Sequence, residues 1–342
     1  MILGFLRFQM MSKLVARVFS GSPVNLSRLA KVLRSGGIVA APTETVYGLA
    51  GNALDPKACR KIFRAKLRPA TDPLIVHVLG LDDLDRYAYG NSSARLLARK
   101  FWPGPLTIVL RKRTMIPSVV SAGRNSVALR SPAHPLFRRL LRLSGVPLAA
   151  PSANPFGYVS PTTAEHVRSG LGLRIQHILN GGSCAIGLES TIVDLRDAKR
   201  PRILRPGAIT RSQIEQVLKV PVRERRSAGR YAQAQVAPGM LTRHYSPRTS
   251  VILHAVLDKS SVLSGAQNQA WVFLAKPSRV SGKNIYWMDR QGDLERVARG
   301  LFAMLRRLDV AGYARLNFEC APGKEGMAAA INDRLRRAAA KA

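Results

Sequence analysis

The stretch IVAAPTETVYGL at Ile38–Leu49 contains an apolar run followed by a polar turn, a pattern that recurs along the chain. Its apolar start, Ile38–Ala41, predicts a buried strand, and the turn at Pro42–Thr45 places polar side chains at the end of that strand. The preceding segment, Asn25–Arg34, has apolar residues at helical spacing and ends before a glycine pair. Short strands and helices alternate irregularly from there onwards, which predicts a mixed α/β domain.

The alternation continues over the first two thirds of the chain. Further strands are predicted at Pro73–Val78, Leu106–Leu110, Val127–Arg130, Pro147–Ala150, Ile175–Leu179, Thr191–Leu195 and Ile203–Arg205. Further helices are predicted at Pro56–Arg64, Ser92–Phe101 and Pro135–Leu143. We predict one domain over residues 25–222, preceded by an N-terminal extension at 1–24. No acidic residue precedes Glu44, which also fits an organelle transit segment, but an early start site is the simpler interpretation.

A change of composition at Arg223–Pro247 separates this domain from a second one. The stretch is rich in Arg, Gln, Ala, Gly and Pro and lacks apolar periodicity, which is typical of a linker. Strands are then predicted at Ser250–Val256, Ala270–Ala275, Asn284–Met288 and Ala314–Cys320, with helices at Gly292–Leu308 and Met327–Ala339. This pattern is typical of a small doubly wound, Rossmann-like domain. We therefore predict a linker at 223–248 and a C-terminal domain at 249–342.

Charge is the strongest compositional feature of the chain. Its 342 residues contain 54 Lys and Arg against 20 Asp and Glu, a formal net charge of +34 at pH 7. This excess predicts polyanionic partners such as phosphates, nucleotides or RNA, although a general shift of a whole proteome towards arginine gives the same count. Because 46% of the residues are hydrophobic, the class of disordered basic tails is excluded.

The cysteines and the apolar runs indicate the cellular compartment of the protein. Cys59, Cys184 and Cys320 are far apart and form no C-x-x-C pair. This spacing argues against a disulfide scaffold and a structural zinc site, and it favours a reducing compartment. No apolar run reaches the length of a transmembrane helix. We expect a cytoplasmic protein without membrane contact.

Common catalytic motifs are absent from the sequence, namely the G-x-x-x-x-G-K-[ST] phosphate loop, the H-E-x-x-H pair and the G-x-S-x-G elbow. Polar clusters instead lie at the ends of predicted elements. They are PTETVYGL at 42–49, KLRP at 66–69 with His77, RSP at 130–132 with His134, and PSAN at 151–154 with SPTT at 160–163. Together they offer cations for phosphate, hydroxyls and amides for a ribose or an amino acid, and few bases. That combination favours nucleotidyl transfer, in which positioning and charge stabilisation dominate.

These clusters resemble the catalytic domain of the YrdC/Sua5 family, the threonylcarbamoyl-AMP synthases. The matching segments within Gly37–Gly207 are PTETVYGLAGNA, IFRAKLRPATDPLIVHV, FWPGPLTIVL, ALRSPAHP, APSANPFGYVSPTTA, NGGSCAIGLESTIVD and ILRPGAIT. The segments APGMLTRHYSP and GMAAAINDRLRRAA resemble the linker and the extra domain of Sua5-type members. The resemblance implies a twisted mixed sheet around a basic cavity. It also implies synthesis of threonylcarbamoyl-AMP and pyrophosphate from L-threonine, bicarbonate and ATP.

The resemblance further implies roles for individual residues. The implied L-threonine contacts are Thr45, His77, Arg130, the backbone at Ala150, and Ser190. The implied ATP contacts are Lys66, Arg68, Asp72, Ser126, Ser152, Asn154, Ser160, Arg205 and Tyr245, the last folding back over the cavity from the linker. Lys66 and Arg68 are the implied catalytic cations. Mg²⁺ is expected to enter on the phosphates of ATP, with no metal site built by the protein.

Two positions depart from the family pattern, and two alternatives stay open. Asp72 stands where the family often carries Asn, which either lowers ATP affinity or helps to hold Mg²⁺, and Leu67 is a large middle residue for K-x-R. One alternative is a catalytically silent RNA- or ribosome-binding relative. The other is a carbamoyl-phosphate-using relative, whose zinc-finger cysteine spacing this chain lacks. The implied partner is a threonylcarbamoyl transferase acting on adenosine 37 of ANN-decoding tRNAs, while direct binding of tRNA is left open.

Overall fold

Two β-sheets organise the chain. The structure is a computed structural model that describes residues 16–224, 235–238, 245–258, 262, 267–278 and 280–340. A mixed sheet of twelve strands is formed by the described residues up to 224, and a sheet of four strands by those from 250 onwards. The predicted mixed α/β architecture is confirmed.

The large sheet contains both parallel and antiparallel pairs. Its strands are β1 (Arg17–Phe19), β2 (Val39–Ala41), β3 (Gly48–Asn52), β4 (Ile75–His77), β5 (Ala88–Tyr89), β6 (Leu106–Lys112), β7 (Ser126–Arg130), β8 (Leu148–Ala149), β9 (His177–Leu179), β10 (Thr191–Asp194), β11 (Arg202–Arg205) and β12 (Arg223–Glu224). Their order is β1-β9-β2-β3-β8-β4-β7-β6-β10-β11-β12, and β5 pairs with β6. Strand β4 runs parallel to β7, with His77 opposite Arg130, so both side chains are carried to the same edge.

Helices pack on this sheet and fix the segments between its strands. They are α1 (Pro23–Arg34), α2 (Pro56–Lys66), α3 (Asp82–Tyr87), α4 (Ser92–Phe101), α5 (Pro135–Ser144), α6 (Ala164–Leu171) and α7 (Arg211–Leu218). Helix α2 begins at a cap in which the Asp55 side chain accepts from the backbone N–H of Lys57. It ends at Leu67, which has the left-handed φ of 53°. This ending separates Lys66 on the helix from Arg68 beyond it.

The second sheet is fully parallel. Its strands β13 (Ser250–His254), β14 (Gln269–Ala275), β15 (Ile285–Asp289) and β16 (Arg315–Glu319) lie in the order β13-β16-β14-β15. Helices α8 (Leu294–Asp309) and α9 (Gly326–Ala339) bury their apolar faces in the same core as this sheet. The sequence predicts a small doubly wound, Rossmann-like domain here, and the parallel sheet with its packed helices agrees with that α/β class.

The structure differs from the predicted elements at a few positions. Strand β1 pairs in parallel with β9, and α1 begins at Pro23, so Arg17–Phe19 and residues 23 and 24 of the predicted extension belong to regular elements. Most of the predicted linker, residues 225–234 and 239–244, lies outside the described residues. Within the described part of the chain, no helix combines the length and the apolarity needed to cross a membrane.

Candidate active site

A cavity opens at the sheet edge where β4 and β7 end. Its described lining consists of Thr43, Thr45, Val46, Gly48, Arg68, Ile75, His77, Arg130, Ala150, Pro151, Ser152, Glu189, Arg205, Pro238 and Tyr245. Eight of these residues were predicted from the sequence: Thr45, Arg68, His77, Arg130, Ala150, Ser152, Arg205 and Tyr245. Among the described lining residues, three arginines accompany one glutamate, so the cavity suits anionic ligands.

Arg130, the last residue of β7, is held by the turn after β2. Its Nη1 donates to Thr45 Oγ1 at 2.9 Å and its Nη2 to Glu44 Oε1 at 2.6 Å, while Nε donates to the Gly104 carbonyl at 3.3 Å. The other Glu44 oxygen accepts from the N–H of Ala133 at 3.1 Å. Burial acts to raise the pKa of Glu44, but the charge and hydrogen bonds of Arg130 hold that pKa below its ordinary value. The buried pair is therefore ionised and fixes the guanidinium.

His77 is a neutral imidazole beside Arg130. The side chain is buried, and its ring centroid lies 5.2 Å from that of Phe137. Burial, assisted by the charge of Arg130, lowers the pKa of His77 to about 3. Its Nδ1 has no hydrogen-bond partner among the described residues. At neutral pH the ring is thus an uncharged donor and acceptor at the cavity wall.

Ser190 and Arg205 form a second fixed pair. The Ser190 hydroxyl lies 2.7 Å from Thr107 Oγ1 and accepts from Arg205 Nη2 at 3.1 Å. The Nε of Arg205 donates to the Ser190 carbonyl, also at 3.1 Å. Burial lowers the pKa of Arg205, although Tyr245 and Glu189 act in the opposite direction. Ser190 therefore stands directly behind an arginine of the cavity wall rather than in the lining itself.

Lys66 organises the PSAN turn. Its Nζ donates to the backbone carbonyls of Ser152 and Asn154, and the side chain is 1% exposed. The Asn154 amide nitrogen donates to the carbonyls of Pro155 and Tyr158. Burial, with the nearby charge of Arg68, lowers the pKa of Lys66 well below its ordinary value.

Arg68 lines the cavity and is paired with Asp72. Its Nη2 lies 3.0 Å from Asp72 Oδ2, but neither carboxylate oxygen has a partner in hydrogen-bonding geometry among the described residues. The guanidinium instead donates to the Asp72 carbonyl at 2.9 Å and the Pro73 carbonyl at 2.6 Å. Burial raises the pKa of Asp72, against the effects of Arg68, Lys66 and Arg205. This acid is a counter-ion set among cations.

The remaining predicted residues occupy different places. The Ser160 hydroxyl donates to Glu189 Oε1 at 2.5 Å, directly behind the lining. Tyr245 reaches the cavity from the linker with a left-handed φ of 62° and packs 5.5 Å from the Phe302 ring of α8. Ser126 begins β7, at the opposite end of the strand from Arg130, and is not part of the described lining.

Sequence reasoning missed two acids of the site. Glu44 and Glu189 both lie inside the quoted motifs, PTETVYGL and GLESTIVD, yet neither received a role. An acid next to an anion site is easily discounted, whereas the structure uses Glu44 to hold Arg130 and Glu189 to accept from Ser160. The signal available in sequence was the position of each acid next to a predicted threonine contact.

The described residues do not form a metal centre. No group of three or more His, Cys, Asp or Glu side chains lies close enough within them to hold an ion. Asp72 is a poor ligand in this arrangement, because its carboxylate is already paired with Arg68 and flanked by further cations.

Comparisons with known proteins cover both sheets. The family model of Sua5, YciO and YrdC proteins, described as "Telomere recombination", matches residues 31–207. A second model, described as "Threonylcarbamoyl-AMP synthase, C-terminal domain", matches residues 209–340. The two models leave little of the described chain unmatched.

Individual relatives agree with the family models. The threonylcarbamoyl-AMP synthase of Pyrococcus abyssi is 40% identical over 316 residues, which are 90% of this chain and 92% of that one. The protein of the same name from Bacillus subtilis is 38% identical over 331 residues, 92% of each chain. The crystal structure of P. abyssi Sua5 complexed with L-threonine has a TM-score of 0.86 at 34% identity, covering 95% of this chain and 98% of that one.

Proposed function

Since this chain belongs to the Sua5/YrdC family, we propose that it forms L-threonylcarbamoyladenylate and pyrophosphate from L-threonine, bicarbonate and ATP. The observation that carries the proposal is one buried cavity in which three arginines meet a neutral histidine and several hydroxyls. The reaction brings together a threonine carboxylate and a triphosphate, so it needs more than one fixed cation. The product supplies N6-threonylcarbamoyladenosine at position 37 of ANN-decoding tRNAs.

The contacts of Arg130 support its role in binding the threonine carboxylate. Its hydrogen bonds within the described residues use one N–H on each nitrogen, so each terminal nitrogen keeps a second N–H for a carboxylate. Thr45, the neutral ring of His77 and the backbone at Ala150 complete the proposed lining of the threonine site. The hydroxyl of Ser190 would act from behind this lining, where it accepts from Arg205. A neutral imidazole suits the hydroxyl of the substrate, because it adds no charge beside Arg130.

The chemistry needs no nucleophilic side chain. The threonine nitrogen attacks the carbon of bicarbonate, a C–N bond forms and water leaves, which gives N-carboxythreonine. A carboxylate oxygen of that intermediate then attacks the α-phosphorus of ATP, and the bond to the β-phosphate oxygen breaks to release pyrophosphate. Two anions meet in this step, so cations must offset their repulsion.

Arg68 and Lys66 are placed to divide that task. Arg68 is in the cavity lining, whereas Lys66 lies behind the PSAN turn and donates to Ser152 and Asn154. We propose that Arg68 contacts the phosphates, with Arg205 and Ser160 nearby, and that Lys66 holds the turn that carries the nucleotide. Asp72 and Ser126 complete the predicted set of nucleotide residues.

Mg²⁺ is proposed to arrive with ATP. The described residues provide no ligand cluster for it, and Asp72 is engaged by Arg68. The ion would be held by the phosphates and water, as is usual for Mg²⁺ at nucleotide sites. It would supply neutralisation of phosphate charge, and the protein's own cations act beside it.

The linker is proposed to close the cavity. Pro238 and Tyr245 line it, Gln235 donates its backbone N–H to the Thr71 carbonyl at 2.9 Å, and Tyr245 is 1% exposed. Closure would exclude water from a labile adenylate, whereas a passive tether would not. Deleting the chain after Pro221 tests the passive tether, which predicts unchanged ATP turnover and adenylate lifetime. A loss of either would show that the linker or the C-terminal domain acts at the cavity.

The proposed partners follow from the product. A threonylcarbamoyl transferase would take the adenylate and act on tRNA, and direct binding of tRNA by this basic chain would depend steeply on salt.

A reducing cytoplasm fits the free thiols of Cys59 and Cys184, both buried. The silent RNA-binding alternative gains no support, because Arg68 of K-x-R and Ser152 of S-x-N line one cavity and Lys66 donates to the Ser152 carbonyl.

The deciding experiment is pyrophosphate release from ATP by the full chain. We expect release only when L-threonine and bicarbonate are both present, and no release when either is omitted or when glycine replaces L-threonine. Turnover that is independent of bicarbonate, or no turnover at all, contradicts the proposed function.

A further inference from the structure

One arginine of the C-terminal part is buried against the wall of the catalytic cavity. Arg334 on α9 is 0% exposed. Its Nε donates to Glu189 Oε2 at 2.9 Å, and its Nη2 donates to the Glu189 carbonyl at 3.2 Å. Its Nη1 donates to the Pro206 carbonyl and to Asp333 Oδ2, each at 2.8 Å. Three of these four bonds cross from the C-terminal part to the catalytic part.

Glu189 connects this arginine to the substrate site. It lines the cavity, and its second carboxylate oxygen accepts from the Ser160 hydroxyl, a proposed ATP contact. It also directly precedes Ser190, whose carbonyl and hydroxyl are held by Arg205. The guanidinium of Arg334 also lies 5.5 Å from the centroid of the Tyr245 ring. One side chain of α9 therefore touches both the cavity wall and the part of the linker that covers the cavity.

We propose that Arg334 is a positioning residue of the synthase, which completes the nucleotide side of the cavity when the C-terminal domain is docked. This inference rests on the proposed function. Without Arg334, the buried Glu189 carboxylate would lose its ion-pair partner at the proposed phosphate side of the cavity, and the nearby charge of Arg205 would be left to offset it. With Arg334, the carboxylate is neutralised and oriented so that Ser160 is fixed.

The position requires the shape of arginine as well as its charge. A planar guanidinium donates in several directions at once, and that of Arg334 donates to two carboxylates and two carbonyls. Burial acts to lower the pKa of Arg334, but Tyr245, Glu189 and Asp333 outweigh it and raise that pKa, so the charge persists. Part of the surrounding interface is an apolar core, in which Leu188 and Val159 pack with Phe302 of α8. Docking of the C-terminal domain thus carries the cation to its place.

The test uses full-length variants and steady-state pyrophosphate release. We expect Arg334→Met to raise the KM for ATP by about 10-fold or more, because one partner of a buried charged pair is removed, with a smaller change in the KM for L-threonine. Arg334→Lys keeps the charge but loses the planar, multidentate guanidinium. Its KM for ATP should therefore lie between those of the unmodified chain and of Arg334→Met. The control is Arg336→Met on the same helix, where the side chain is exposed, and it should match the unmodified chain.

A double variant separates positioning from general damage to the fold. In Glu189→Gln/Arg334→Met the unpaired charge is gone, so the KM for ATP should return towards the unmodified value. An unchanged KM in Arg334→Met, or a double variant no better than the single one, overturns the inference. If Arg334→Met does not fold, Arg334→Gln with and without Glu189→Gln decides the same question. Failure of the proposed function is distinguishable, because the unmodified chain would then show no release dependent on threonine and bicarbonate.

Discussion

Replacing Lys66 by methionine should abolish most adenylate synthesis. The Nζ of Lys66 donates to the carbonyls of Ser152 and Asn154 from a fully buried position. Methionine would take this donor from both carbonyls, at a cost of about 1–3 kcal/mol for each buried acceptor, so about 2–6 kcal/mol for the two. At about 1.4 kcal/mol per factor of ten, the lower figure corresponds to a loss of turnover of roughly 30-fold if the PSAN turn is needed in place.

The assay is pyrophosphate release with saturating L-threonine and bicarbonate, in which kcat and the KM for ATP are determined separately. Lys61→Met is the matched control, because Lys61 lies on the same helix, is exposed and donates to the Gly36 carbonyl outside the described cavity lining. Thermal unfolding of both variants measures how much of the effect is lost stability. Lys66→Met with unmodified turnover, or an equal loss in Lys61→Met, would refute the reasoning.

Three further predictions concern single side chains. The pKa of His77 is about 3 in the folded protein and ordinarily 6.5. Between these two pH values the imidazole is protonated in the unfolded chain but neutral in the folded protein, so protonation favours unfolding. Urea unfolding should therefore show stability falling as pH drops from 6.5 towards 3, with a shallower fall in His77→Gln; equal slopes would contradict this. Leu67→Gly should stabilise the protein by about 1 kcal/mol, because Leu67 holds a φ of 53° and is exposed, and a lower melting temperature would contradict it. Asp72→Asn should lower the KM for ATP, because the carboxylate competes with phosphate for Arg68; a raised KM that tracks Mg²⁺ concentration would make Asp72 a metal ligand instead.

Local sequence patterns predicted the parts of the fold whose cause is local. Strands β4 and β7 were found because they are short apolar runs, and their pairing brings His77 and Arg130 together. Strand β3, GLAGN, was missed because it has neither alternation nor β-branched residues. Its neighbours explain this composition, since a Cβ on Gly48 would lie 3.1 Å from Ala150 and one on Gly51 would lie 3.2 Å from Ile62. Close approach of other elements, which no local pattern records, selected small residues there.

The candidate site shows the same division. The K-x-R spacing predicts that two cations lie close together. It does not predict that Lys66 donates to backbone carbonyls while Arg68 lines the cavity. That difference arises at Leu67, whose left-handed conformation turns the chain between them. The role of Arg334 could not be predicted from the sequence for a different reason. Its partner Glu189 lies 145 positions away, and only the docking of two parts of the chain brings them together.

The cations at the cavity already have partners within the protein. Arg130 is paired with Glu44, Arg68 with Asp72, and Lys66 with two carbonyls. Under the proposed function, binding of substrates would be an exchange, in which a threonine carboxylate or a phosphate shares or replaces a group that the protein supplies. Such an exchange yields less net affinity than binding to bare cations, because the partners must be given up or shared. It also keeps the guanidinium groups oriented before substrates arrive, which is what a reaction driven by charge positioning requires. The large positive charge of the chain is thus not simply concentrated at this cavity, since buried acids are paired there with Arg130 and Arg68.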